Sequence, residues 1–138
     1  MSLFEALPIA GSGMDAMQTW IDTSAGNIAN IGDAAPVGSR PYAAQTPVLA
    51  PEGPTAVSGL GPGEGVAVTG IALGTARGEV AYEPADPLAN AAGDVVLPHV
   101  SLAAQMVDMI QAQESYQADT VALARAQSAY TAGLSIGT

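Results

Sequence analysis

Residues 101–132 read SLAAQMVDMIQAQESYQADTVALARAQSAYTA, a stretch without glycine or proline. Apolar residues recur in it at alternating spacings of four and three, with polar interruptions, which predicts one long helix with a broad apolar stripe. The stripe runs through Leu102, Met106, Met109, Tyr116, Leu123, Tyr130 and Leu134, with Ala103, Val107, Ile110, Val121 and Ala124 beside it. At about 1.5 Å per residue the helix is roughly 48 Å long. Ser101 is predicted to cap its start, and Gly133 is predicted to end it.

Residues 1–31 carry a second helical pattern at the other end of the chain. Eight of nine positions at the same spacing are apolar, in the series Leu3, Leu7, Ala10, Met14, Met17, Ile21, Ser24, Ile28 and Ile31. Pro8 leaves two possibilities open, because proline costs a helix interior about 3 kcal/mol but little in the first turn. Either the helix begins near Ser12, which then caps it with Asp15 three residues later, or a longer helix is kinked at Pro8.

The segment between the two helical patterns, residues 32–99, holds nine of the ten prolines and eleven of the sixteen glycines. Such a composition excludes a continuous helix and is typical of short strands joined by loops. Residues 50–64 are expected to be flexible. The chain therefore divides into an N-terminal helix (1–31), a central region (32–99) and a C-terminal helix (100–138).

Three stretches of the central region have the alternation of β-strands. Val66–Leu73 is predicted to pair with Glu79–Tyr82 across the glycine-flanked residues 74–78. Tyr42–Leu49 is a third strand candidate, weakened by Pro47. The predicted fold is α+β, in which the long terminal helices pair as a coiled-coil-like α-layer beside a small antiparallel β-hairpin unit with Gly/Pro-rich loops. Two helices do not enclose a core, so each leaves apolar surface exposed, and self-assembly or hetero-assembly is expected.

The charge of the chain excludes several classes of partner. Three arginines stand against thirteen carboxylates, there is no lysine, and the net charge is −10. Such a chain cannot neutralise nucleic-acid phosphates, and it is repelled by an anionic membrane surface. No apolar run approaches the ~18 residues of a transmembrane helix, and the N-terminus lacks the basic start of a secretory signal peptide. Because cysteine is absent, disulfides and thiol chemistry are excluded.

No combination of residues in the sequence predicts catalysis. His99, the single histidine, follows a proline and has no triad partners, so a surface or interface position is expected. Glu83 and Asp86 flank prolines in a rigid turn, where aspartate is common for backbone reasons, and they lack the spacing of a calcium loop. The glycines of residues 61–65 do not open a helix after a strand, which argues against a phosphate loop. We therefore expect no catalytic residue, no cofactor and no metal site.

Several motifs at both ends of the chain resemble a known family. Three N-terminal segments are similar to the N-terminal signature of bacterial flagellar rod and hook proteins: Ile9-Ala-Gly-Ser-Gly-Met14, Trp20-Ile-Asp22 and Ala25-Gly-Asn-Ile-Ala-Asn-Ile31. Glu114-Ser-Tyr-Gln-Ala118 resembles the matching C-terminal signature. Between them, Val80–Asn90 and Gly93–Val100 look like a pattern typical of the proximal rod member of the flagellar basal-body rod family. Asp94 departs from that pattern, which usually has an aromatic residue there, and His99 stands where asparagine is usual.

The resemblance implies a structural role. Members of this family are exported through the flagellar type III apparatus and assemble as a helical tube in the basal body, in the periplasmic or cell-wall space. Their terminal helices form an inner α-layer, the central hairpin faces outward, and the rod transmits torque from the motor to the hook and filament. The implied partners are further copies, other rod proteins, the ring-to-rod adaptor and the MS ring, as homo- and hetero-oligomer. The alternatives are another type III-exported component such as a needle or translocator protein, the related short rod protein FlgB, or a small acidic metal-binding or enzymatic domain.

The stripes and the motifs together predict the residues of the subunit interface. They are Leu3, Leu7, Met14, Met17, Ile21, Asn27, Ile28, Asn30, Leu102, Met106, Met109, Ile110, Tyr116, Gln117, Val121 and Leu123. Within a subunit, the apolar residues of the first helix are expected to pack on those of the second, namely Met106, Ile110, Tyr116 and Leu123, and then against neighbouring subunits. For Asn27 and Asn30 two interpretations stay open. They either terminate the helix, since asparagine tolerates left-handed geometry, or make a polar contact that fixes the turn into the β unit.

Overall fold

The computed structural model describes residues 3–52 and 65–136. Six elements follow one another along the chain: a long helix, four strands and a second long helix. They are α1 (Leu3–Ala29), β1 (Gln45–Pro51), β2 (Val66–Leu73), β3 (Glu79–Tyr82), β4 (Asp94–Leu97) and α2 (Leu102–Ile136). The α+β fold predicted from the sequence is confirmed. Residues 50–64, for which flexibility is predicted, lie largely outside the described part of the chain, because only residues 50–52 are described.

Helix α1 is continuous through Pro8, so the prediction of a start near Ser12 is wrong. Pro8 lies in the second turn, where its missing N–H removes a single intrahelical hydrogen bond. The Ser12 hydroxyl does not cap a helix but donates a hydrogen bond of 2.9 Å to the Ile9 carbonyl inside it. Tertiary packing along the rest of α1 outweighs the local cost of the proline.

Helix α2 begins as predicted and ends later than predicted. The Ala104 N–H donates a 3.3 Å hydrogen bond to Ser101 Oγ, which confirms the cap. Gly133 does not end the helix, which continues to Ile136. Gly133 has no positive φ, and a glycine in helical geometry weakens a helix by about 1 kcal/mol without stopping it. The predicted stop was therefore wrong because glycine permits the left-handed conformation but does not impose it.

The two helices pack antiparallel along most of the length of α1. Asn27 near the end of α1 is bonded to Gln105 near the start of α2, and Gly13 lies against Asp119 further along α2. At Gly13 a β-carbon would overlap the Asp119 carboxylate, so glycine permits the close approach of the helices there. Among the described side chains, the buried aliphatic residues are few and small: Ala10, Ala16, Val95, Val96 and Ala112.

The strands form two separate antiparallel pairs. β1 pairs with β2, from Gln45 opposite Leu73 to Pro51 opposite Val66, with a register shift between Val48 and Leu49. β3 pairs with β4, and Ala35 adds a bridge to Val96 on the other side of β4. The third strand candidate is thus confirmed as β1, while β4 was not predicted.

The predicted pairing of β2 with β3 is wrong. The connection between them, residues 74–78, is held at both ends by other parts of the chain. The Gly74 N–H donates a 2.7 Å hydrogen bond to the Ala44 carbonyl, and a β-carbon at Gly78 would overlap the Leu97 carbonyl and Pro41. Contacts distant in sequence therefore replace the short-range hairpin that the alternation favoured.

Candidate assembly interface

Asn27 lies at the point where α1, α2 and the β1–β2 sheet meet. Its side chain is 1% exposed. Its Nδ2 donates to the Gln45 carbonyl and to Gln105 Oε1, each at 2.7 Å. Its Oδ1 accepts from the Tyr42 hydroxyl at 2.9 Å and from the Gln45 N–H at 2.8 Å. All four hydrogen-bonding positions of the amide are therefore used, which is what a buried amide requires.

The two bonds to Gln45 make the Asn27 amide a substitute for a neighbouring strand. The Gly74 N–H bonds the Ala44 carbonyl, so by the alternation of an antiparallel ladder the next pair, Gln45 and Leu73, turns its backbone groups away from each other. Asn27 binds both outward groups of Gln45. Of the two interpretations left open for Asn27, the geometry shows the polar contact that fixes the turn into the β unit.

Asn30 lies just beyond the last residue of α1 and bonds only locally there. Its backbone N–H makes the ordinary helical hydrogen bond of 3.1 Å to the Gly26 carbonyl, and its Nδ2 adds a second bond of 2.8 Å to the same oxygen. No non-glycine residue in the described ranges has a positive φ, so Asn30 does not end α1 through left-handed geometry. Its side chain instead caps the end of the helix by this local hydrogen bond.

Ser12 forms a second attachment between α1 and the sheet. Its Oγ accepts a 3.1 Å hydrogen bond from the Val66 N–H, at the start of β2. The Glu52 N–H bonds the Gly65 carbonyl, so the Val66 groups also face outward. Sequence reasoning had assigned Ser12 to a helix cap, and no spacing in the sequence pointed to a partner 54 residues away.

Helix α1 crosses the sheet diagonally, since Asn27 holds the outer edge of β1 and Ser12 the outer edge of β2. The two residues are about 22 Å apart along a helix, close to the ~20 Å that β1 spans. Because α1 crosses the sheet in this way, it covers the start of β2 and leaves the second half of that strand, residues 69–73, exposed.

The face of α2 that meets α1 is mostly polar or small. Its half-buried and buried residues are Gln105, Asp108, Met109, Ala112, Tyr116, Asp119, Leu123 and Ala126. On α1, the buried residues Ala10, Ser24 and Asn27 are equally small or polar. Met109, Tyr116 and Leu123 thus lie on the predicted seam. The seam stabilises the helix pair less than an apolar seam of the same length would, because it buries little apolar surface.

The opposite face of α2 is apolar and exposed. Its large side chains are between 50% and 54% exposed and comprise Met106, Val107, Ile110 and Val121. We call these four residues the outer face. Leu102, which is 47% exposed, lies about 80° from Ala112 and is therefore at the edge of the seam, on the same side as Met109. The expectation that Met106 and Ile110 pack on α1 within the subunit is wrong. At about 100° per residue they lie roughly 120° and 160° around the helix from Ala112, which faces α1.

The remaining predicted interface residues divide between the helices. Leu7, Met14, Met17, Ile21 and Ile28 are half-buried on α1, and Gln117 is exposed on α2 near the outer face. The side chain of Leu3 lies outside the described part of the chain. Two polar partners of Asn27, Tyr42 and Gln105, were not among the predicted residues, and no periodic signal would have found them.

The described residues offer little for catalysis. In residues 3–52 and 65–136 no group of three histidine or acidic side chains could hold a metal ion. His99 Nδ1 lies 3.0 Å from Glu79 Oε1, and both side chains are largely exposed. Asp86 Oδ1 accepts a 2.7 Å hydrogen bond from the Leu88 N–H, as expected of a turn aspartate. In the same ranges no helix is long and apolar enough to cross a membrane.

Comparison with known proteins identifies the family. No family model matches the chain. The chain is 32% identical over 149 residues to the flagellar basal-body rod protein FlgC of Borreliella burgdorferi, with 99% of this chain and 98% of that protein covered. It is 32% identical over 138 residues to FlgC of Escherichia coli O157:H7 and 30% identical over 149 residues to FlgC of Bacillus subtilis, with 99% of each chain covered. Identity at this level over nearly the full length shows that the chain belongs to the FlgC family of flagellar basal-body rod proteins.

Proposed function

We propose that the chain builds the proximal rod of the flagellar basal body by packing the outer face of α2 against neighbouring subunits. As a FlgC-type rod protein it is a structural component of the basal body. The names of its relatives favour this role over FlgB, a needle or translocator component, and a small enzymatic domain. We infer the helical assembly of subunits, and with it the transmission of torque to the hook and filament, from the arrangement of α1 and α2.

The observation that carries the proposal is the exposed apolar side of α2. The side of the helix that faces α1 is mostly small or polar, while the bulky apolar side chains of the outer face are about half exposed. Large apolar side chains exposed side by side, as Met106, Val107 and Ile110 are, mark sites of protein association. A helix with apolar residues on all sides is stable when other elements surround it.

Helix α1 offers less to a neighbour. Its most exposed strip carries Pro8, Asp15, Gln18 and Asp22. The Gln18 side chain already has a partner within the helix, since its Nε2 donates a 3.0 Å hydrogen bond to Asp22 Oδ1. Charged and polar residues in such a strip favour contact with water over contact with an apolar neighbour. In the assembly we therefore place α2 among neighbouring helices and the strip of α1 outside those contacts.

The proposed partners are further copies of the chain, other rod proteins, the ring-to-rod adaptor and the MS ring. Homo-oligomerisation and hetero-oligomerisation use the same outer face in this proposal, with the half-buried Met14, Ile21 and Ile28 of α1 at its margin. Export through the flagellar type III apparatus to the periplasmic or cell-wall space fits a chain without cysteine, because its folding needs no disulfide. The small, polar seam also fits passage of an unfolded chain, since little stability is lost when the helices separate.

Replacing Met106 with aspartate tests the proposal. The Met106 side chain is 54% exposed, so Met106→Asp should leave the subunit folded. It places a charge in the proposed contact, where an unpaired charge is costly. We expect loss of swimming and basal bodies that lack a rod, with export of the variant intact, as measured by motility assay, electron microscopy of basal bodies and immunoblotting of exported fractions.

Ala122→Asp is the matched control, since Ala122 is an exposed residue of the same helix that lies about 100° around the helix axis from its outer-face neighbour Val121. It adds the same charge to α2 and should leave swimming unchanged. Normal swimming of the Met106→Asp strain would contradict the proposed contact.

A further inference from the structure

The four outer edges of the two sheets differ in how they are closed. The outer edge of β1 is closed at most of its outward positions. Asn27 binds the outward groups of Gln45, and two of the three further outward residues, Pro47 and Pro51, have no N–H to offer. The outer edge of β4 is taken by Ala35, whose N–H and carbonyl both bond Val96 at 2.9 Å. Natural sheets use such devices to prevent pairing with other strands.

The edge of β2 is open in its second half. Ser12 binds the outward N–H of Val66 at the start of the strand. Further along, Ile71 and Leu73 turn their N–H and carbonyl groups outward, because Gly74 bonds back to Ala44 in the ladder with β1. In the described ranges no strand pairs with this edge. Residues 66–76 contain no charged residue and no proline, so two of the usual protections of an edge strand are missing beyond the register shift at Thr69.

The edge of β3 is open as well. Both backbone groups of Val96 bond Ala35, so its partner Val80 on β3 turns its own groups outward. The Glu83 N–H bonds the Gly93 carbonyl, which places the outward groups of Tyr82 on the same edge. The Val80 and Tyr82 side chains are 66% and 71% exposed. Within residues 3–52 and 65–136, β3 has β4 as its single strand partner.

We propose that the β2 edge of one copy of this chain accepts the β3 edge of a second copy. On each edge, two alternate residues point their backbone N–H and carbonyl groups away from the strand partner. The hydrogen-bonding groups of the two edges therefore match in number and spacing. These residues are Ile71 and Leu73 on β2, and Val80 and Tyr82 on β3. The pairing covers apolar side chains that are exposed in the subunit, including Leu73 at 69%. This contact rests on the proposed assembly into a rod and adds a β-sheet contact to the helix contact.

Charge selects β3 as the occupant. β3 begins with Glu79 and is followed by Glu83, so pairing of two β3 edges would bring carboxylates together. β2 has no charged residue in its open half, so the carboxylates of an arriving β3 meet no like charge there. The exposed Arg77, which follows β2 in the connection 74–78, offers a cation to one of those carboxylates.

The two strands cannot satisfy each other within one chain. The residues between them, 74–78, are tied to Ala44 at one end and packed against Leu97 and Pro41 at the other. Matching edges that are kept apart within a subunit are free to meet between subunits. Contact between two different surfaces of identical chains propagates into a filament unless it closes on itself, which suits a rod.

Disulfide cross-linking tests the contact, because the native chain contains no cysteine. Two double variants, Ile71→Cys with Val80→Cys and Ile71→Cys with Tyr82→Cys, cover the two possible strand orientations. A disulfide forms only when the α-carbons come within about 4.4–6.8 Å. After oxidation of swimming cells, we expect dimers or longer cross-linked chains from at least one double variant and monomers from each single variant.

Thr46→Cys with Val80→Cys is the matched control, since Thr46 lies on β1, away from the open edge. It should remain monomeric under the same oxidation. Absence of cross-links from both double variants in cells that still swim would overturn the contact and leave the rod function standing. Dimers from Ile71→Cys alone would overturn it too, in favour of pairing between two β2 edges. Swimming of a strain that lacks the chain altogether would instead contradict the rod function.

Discussion

Asn27 shows how much one side chain contributes to this small fold. It is a buried polar residue of α1, and it joins α1 to β1, to α2 and to the Tyr42 hydroxyl through four hydrogen bonds. A buried amide with all its partners present costs little, whereas the same site with one partner missing costs the full desolvation of a polar group. The identity of this residue is therefore more constrained than that of the apolar residues around it.

Asn27→Asp should lower the free energy of unfolding by about 3 kcal/mol. Aspartate has the same shape but donates no hydrogen bond, so a carboxylate would face the Gln45 carbonyl and Gln105 Oε1. Urea unfolding followed by the fluorescence of Trp20 measures the change. Asn90→Asp is the control, because Asn90 Oδ1 only accepts hydrogen bonds, from the N–H groups of Ala92 and Asp94, and aspartate keeps that function. Equal stability of the two variants would contradict the role given to Asn27.

At the scale of elements, α2 has more apolar surface than its contact with α1 covers. It extends over 35 residues against 27 in α1, and its apolar residues are spread around the whole circumference. The diagonal crossing of α1 over the β1–β2 sheet has a similar consequence, since it leaves the second half of β2 uncovered. Helix α2 and strand β2 thus each keep a face or an edge that the described part of the subunit does not cover.

Gly133→Ala should increase the helicity of α2. A β-carbon at Gly133 meets nothing within 4 Å, and alanine is favoured over glycine in a helix by about 1 kcal/mol. Far-UV circular dichroism of the purified protein should show a larger helical signal, and the amides of the last turns should exchange more slowly. Gly93→Ala is the contrasting variant, since the φ of +85° at Gly93 disfavours any side chain, and it should destabilise the subunit. A loss of helix on Gly133→Ala would mean that Gly133 terminates α2.

For the whole molecule, charge and exposed apolar surface oppose each other. The net charge of −10 makes copies repel, while the outer face of α2 and the open strand edges favour association. The core of the described residues contains few large side chains, so contacts between subunits contribute a large share of the stability of the assembled protein.

Salt should therefore promote self-association of the purified protein. Raising the NaCl concentration from about 10 mM to 150 mM shortens the screening length from roughly 30 Å to 8 Å, which weakens the repulsion between copies and leaves apolar contacts intact. Sedimentation velocity should show a rising average mass. Met106→Asp should show a smaller rise over the same series, because it loses the outer-face contact and keeps the open strand edges. A mass that falls with salt would indicate that ion pairs, not apolar contacts, hold the copies together.

Local chemistry in the sequence determined the two terminal helices, the cap at Ser101, the break-up of the middle by proline and glycine, and the family motifs. These features depend on spacing and on residues near in sequence, so they can be recognised before any contact is known. Only the tertiary structure decided that β2 pairs with β1, that Ser12 binds Val66, that Asn27 binds Gln45 and Gln105, and that Met106 and Ile110 face outward. Each of these depends on which groups distant in sequence are left to be satisfied or covered once the helices pack. A periodicity of apolar residues does not encode that information, because α2 has apolar residues on more than one face.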